Sequence, residues 1–166
     1  MQDSSPTKWH RAHTTWFFDT FLLQPHLAGY TPPNPNYAYL FNSYYEAVGS
    51  RHPRPQRGLI TRPTVSEVSD YRRTIDDAIA RLIDSANARQ WKKIAPLIEL
   101  GIAHEEQHDE LLLMDILNLS SHNALRPVFA PYRPAGARQA PDIDWVHFQG
   151  GIVEIGHDGN GFAFDC

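Results

Sequence analysis

From Trp91 to Leu119 the apolar side chains keep a helical spacing, and two histidines stand in the middle of it. Steps of four and three residues run through Leu97, Gly101, His104, His108, Leu111 and Asp115, so two imidazoles share one helix face with apolar positions. A buried ring nitrogen without a partner is costly. Such a helix therefore needs a packed bundle in which both rings are hydrogen-bonded, protonated or bound to metal. Pro96 falls inside the pattern, so the helix is expected to start near it or to kink there.

The rest of the chain supplies candidates for that bundle. Ser5-Pro6 reads as an N-cap and first helical position, and Trp9, Ala12, Trp16, Phe17 and Phe21 recur at helical spacing as far as about Leu23. Pro25 and the stretch Tyr30 to Pro35 end that helix. A second is predicted from Tyr37 to Val48, with Gly49 as its stop. Ser50 to Pro63 carries four arginines and three prolines and reads as an ordered excursion without a helix. Thr64-Val65-Ser66-Glu67 resembles a capping box opening a third helix to about Ala86. Residues 126 to 141 hold four prolines and no period. Beyond them Val146 to Gly156 alternates with period two, the pattern of a strand. The expected class is mainly α: an up-down four-helix bundle with a short C-terminal β segment.

Nine histidines against one cysteine, Cys166, direct metal chemistry towards imidazole and carboxylate. The string His104-Glu105-Glu106-Gln107-His108 also fits the zinc-hydrolase pattern in which Glu105 is the general base. The longer form of that pattern needs glycine and histidine where the chain has Leu111 and Met114, and no acidic residue occurs between Ile116 and Pro141. A third ligand is therefore sought on the first helix, which offers His10 and His13. Spacing alone does not separate them. Either completes a three-imidazole set with open positions on one side.

Composition excludes other classes. Fifteen Lys and Arg against 19 Asp and Glu give a net charge of −4 with no basic tract, so nucleic acid is not an expected partner. The longest apolar run, Tyr37 to Phe41, is five residues, against about 20 for a membrane span. A polar N-terminus and a single cysteine suit a cytoplasmic protein.

Ser5-Pro6-Thr7-Lys8-Trp9-His10-Arg11-Ala12-His13-Thr14-Thr15-Trp16-Phe17-Phe18 and His104-Glu105-Glu106-Gln107-His108 together resemble the N-terminal half of the ergothioneine-biosynthesis sulfoxide synthases. These are non-haem iron enzymes with a DinB-like four-helix domain followed by a formylglycine-generating-enzyme-like domain. The resemblance implies Fe(II) held by His13, His104 and His108. Zn or Ni can replace it on purification in air, because divalent-metal affinity does not favour Fe(II). It implies that Arg54 and Arg57, in Arg51-His52-Pro53-Arg54-Pro55-Gln56-Arg57-Gly58, hold the carboxylates of a thiol substrate. Gln107 matches a position that contacts the histidine-derived substrate. It divides the chain into a DinB-like domain at 1–125, a Pro-rich linker at 126–145 and the start of the second domain at 146–166.

The implied activity is Fe(II)- and O₂-dependent C–S bond formation between a trimethylated histidine betaine and a cysteine-type thiol. The family's tyrosine acid lies beyond Cys166, so no catalytic residue is carried over. The expectation is a metal-binding part that is inactive alone and either self-associates or is completed by a further domain. Two rivals belong to other classes: a free-standing DinB-like Zn or Ni thiol transferase or hydrolase, and a non-catalytic bundle with core histidines. The zinc hydrolase of the short histidine motif is a further alternative.

Overall fold

The computed structural model describes residues 4–132 and 142–164. Part of the Pro-rich linker, at 133–141, and Cys166 lie outside the described residues. The chain divides into two compact units, Met1–Arg126 and Pro127–Cys166. The protein is mainly helical, as its periodicity predicts.

In the first unit, α1 (Thr7–Phe17) runs into a π-helical turn at Phe18–Leu23 and ends in the short α2 (Gln24–His26). The buried carboxylate of Asp19 sits in the π-helical turn, where it accepts hydrogen bonds from Gln24, Tyr30 and Tyr71. After α3 (Tyr37–Leu40) and two 3₁₀ turns come two long helices, α4 (Val65–Ser85) and α5 (Ala88–His122). The capping box at the start of α4 forms as expected, with Glu67 N–H donating to Thr64 and Thr64 N–H donating to Glu67. Asn87 caps α5 by accepting from Arg89 and Gln90, and Pro96 lies within that helix.

The second helix, expected from Tyr37 to Val48, forms only over its first turn, as α3. It stops after Leu40 because neighbouring carbonyls are used elsewhere: Leu40 O accepts from Trp9 Nε1, and Phe41 O lies 2.6 Å from His13 Nδ1. Asn42 then replaces the helical pattern with a side-chain turn. Its amide donates to the carbonyls of Tyr45 and Gly49 and its oxygen accepts from Tyr45 N–H. Gly49, at φ 115°, turns the chain where an L side chain would be strained.

Two apolar clusters hold the first unit together. Phe17, Phe18, Leu22 and Leu23 pack with Tyr71, Ile75, Ala78 and Leu82 of α4 and Ile94 of α5. Trp9, Ala12 and Trp16 pack with Phe41 and Val68. In the second unit, the expected β segment is corrected: the described residues 142–164 form no strand. Alternation makes a strand only where a partner backbone pairs with it, and a lone segment is marginal in water.

Candidate metal centre

His13 of α1 and His104 and His108 of α5 converge, and one ring nitrogen from each lies within 4.8 Å of the others. All three side chains are buried. The four-residue spacing on α5 sets two of the rings edge to face, with centroids 4.7 Å apart, and the packing of α1 against α5 brings in the third. Aromatic rings wall the cluster: Trp9 stacks on His13 with centroids 4.7 Å apart, and Phe17 lies 5.1 Å from His104.

Burial holds the three imidazoles neutral. His104 is lowered to about 4 by desolvation. His108 is lowered to about 3 by desolvation, reinforced by the neighbouring histidines and Arg57. His13 is lowered well below the usual range by the same burial and by the two α5 histidines. Neutral imidazoles are the form that ligates metal. The hydrogen bonds agree. His13 donates from Nδ1 to the Phe41 carbonyl, which leaves Nε2 as its free lone pair. His104 Nδ1 is buried without a hydrogen-bond partner. The donor set and its surroundings therefore fit a divalent transition metal.

His10, the competing candidate on α1, is buried beside the cluster and does not belong to it. Its Nδ1 lies 2.9 Å from His108 Nδ1 and its Nε2 lies 2.9 Å from Asp115 Oδ2. Its role and that of Asp115 were not legible as separate signals, although Asp115 does stand on the same helical line as the α5 histidines. Glu105, the base required by the zinc-hydrolase pattern, is turned to α4, where Arg72 holds its carboxylate.

The two arginines of the loop differ in setting. Arg57 is buried, with its guanidinium carbon 3.5 Å above the Trp9 ring and its nitrogens donating to Ser5 Oγ and Ser43 Oγ. Desolvation brings it down to about 10, so it stays charged at neutral pH. Arg54 is exposed and donates to the Tyr44 hydroxyl. Both line a cavity of about 330 Å³ together with Ser43, Tyr44 and Arg51. One indole, that of Trp9, contacts both Arg57 and His13. Gln107 is exposed on α5, next to His108 in sequence.

Among the described residues no helix is long and apolar enough to cross a membrane. No protein-family model matches the chain, and no curated protein matches it.

Proposed function

We propose that the chain carries the metal-binding part of an Fe(II)- and O₂-dependent sulfoxide synthase that joins a trimethylated histidine to a cysteine-type thiol. The observation that carries this reading is the convergence of three buried, neutral histidines from two helices. When bound, Fe(II) supplies one-electron redox chemistry and open coordination positions. The three imidazoles add no charge of their own, which favours an anionic thiolate at the centre.

Arg57 supports the thiol assignment. It donates to two hydroxyls and rests on an indole face, and although the Asp115 charge acts on it, no carboxylate among the described residues is hydrogen-bonded to it, so it can attract one into the adjoining cavity. Its planar fork suits bidentate binding. Arg54 would hold a second carboxylate at the outer edge, and Gln107 would contact the histidine-derived substrate. The aromatic wall of Trp9, Trp16 and Phe17 keeps water from the buried side of the cluster. A cytoplasmic setting suits a chain with a single cysteine.

The test is metal analysis of protein purified and reconstituted without oxygen, followed by thiol titration of the cobalt-substituted form. One equivalent of metal is expected in the wild type and none in the His13→Ala, His104→Ala or His108→Ala proteins. A cysteine-type thiol should produce a sulfur-to-cobalt charge-transfer band. Stoichiometric metal in the His13→Ala protein would overturn the ligand set, and no thiol band in the loaded wild type would overturn the substrate class.

A further inference from the structure

The contact between His10 and His108 joins two imidazole nitrogens at 2.9 Å, so one must carry a proton and the other must offer a lone pair. The far side of His10 decides which. Its Nε2 faces Asp115 Oδ2 at 2.9 Å, and an ionised carboxylate only accepts, so Nε2 carries the proton. The same carboxylate oxygen accepts the Ser5 backbone N–H at 2.7 Å, which anchors it from the start of α1. With His10 neutral, its Nδ1 is the lone pair and His108 Nδ1–H is the donor. His108 is then left with Nε2 as the atom it can present to His13 and His104. A His10 protonated on both nitrogens would instead donate to His108, leave the proton on His108 Nε2 and close that ligand.

We propose that His10 and Asp115 are positioning residues that fix His108 in the tautomer that ligates metal, through the series Asp115–His10–His108. This rests on the metal-centre reading above and adds two residues to it. The groups facing His10 are consistent: Trp9 and His108 flank the ring, and Asp115 meets its outer nitrogen. The arrangement also explains why one short helix carries His10 and His13 three residues apart. One ring ligates, and the other orients a ligand belonging to α5. Outer partners of ligating histidines typically change metal affinity by about 10–100-fold when removed.

The experiment compares His10→Phe, which keeps a ring and loses the acceptor, with His10→Gln, whose amide oxygen can still accept from His108 Nδ1–H. Zn(II) affinity is read by competition with a chromophoric chelator, and the tautomer of His108 in the Zn(II)-loaded protein by ¹⁵N NMR. His10→Phe should bind about 10–100-fold more weakly, and His10→Gln should stay within about threefold of wild type. His108 should show a protonated Nδ1 and a metal-bound Nε2. Should His10→Phe fail to fold, Asp115→Leu, which keeps the size and removes the acceptor, carries the test, with a fall of about tenfold expected. Wild-type affinity in His10→Phe, or in Asp115→Leu where that stands in, overturns the proposal, as does metal bound through His108 Nδ1. If His104→Ala keeps full affinity, the metal-centre reading itself has failed. If His104→Ala abolishes binding while His10→Phe leaves it intact, only the positioning role has failed.

Discussion

Gly101 lies on α5 one turn before His104, and a single added methyl there tests how tightly the spacing of α1 and α5 is set. A Cβ at this position falls 2.3 and 2.4 Å from two ring atoms of Phe18 and 3.1 Å from Phe17. Ordinary contact begins at 3.4 Å, so the Phe18 ring or the helix must give way by about 1 Å. Phe18 is buried among Phe17, Leu22 and Ile94 and has little room to move. Replacing a mid-helix glycine by alanine gains about 1 kcal/mol in helix propensity. Overpacking a core costs about 1–3 kcal/mol, so Gly101→Ala should lose only about 0–2 kcal/mol of stability. Metal binding should suffer more, because ligands must be held within about 0.5 Å of their productive geometry. We expect Zn(II) affinity to fall at least tenfold in chelator competition while the apoprotein still melts cooperatively. Phe18→Leu in the same chain should restore most of the loss. Wild-type affinity in Gly101→Ala, or no recovery in the double variant, would refute the idea that this contact sets the distance from His13 to the α5 histidines.

Two further outcomes follow from charge. His104 and His108 take up a proton at about 6.5 in the unfolded chain but only near 4 and 3 in the folded one. Unfolding therefore binds protons below pH 6.5, and apoprotein stability should be full above that value and fall on acidification towards pH 4. The slope should be about 1.4 kcal/mol per pH unit for each histidine, and urea titrations that give the same stability at pH 7 and pH 5 would contradict it. Replacing Arg57 by methionine should weaken binding of a carboxylate-bearing thiol by about 1.5–3 kcal/mol, with Arg62→Met nearly silent. Calorimetry showing equal losses for both would reduce the loop to a diffuse positive field.

The helices that survive from sequence to structure are those whose signals are local. Thr64 and Glu67 cap each other within one turn, and the line from Gly101 through His104 and His108 to Asp115 needs only the helical repeat. The second helix fails because what stops it is remote: Trp9 and His13 take the carbonyls of Leu40 and Phe41 across 31 and 28 residues of chain. His10 and His13 could not be separated by spacing for the same kind of reason. Both are buried on α1, and only the partners differ, Asp115 for one and a backbone oxygen for the other. The alternation at 146–156 misled because it records which side chains are apolar, while strand formation depends on a second backbone.

The acceptor for His13 is a main-chain oxygen, and this has a consequence for how the site is mapped by mutation. Any residue placed at position 41 still presents a carbonyl, so an alanine scan would register Phe41 only as lost packing and would miss its part in orienting a ligand. The information that keeps His13 pointed correctly is stored in the path of the loop, much of it in the buried amide of Asn42 that bends the chain just afterwards. A side chain that never meets the cluster thus holds one of its rings in place, and transplanting the three histidines to another bundle without this turn would transfer the ligands and lose their aim.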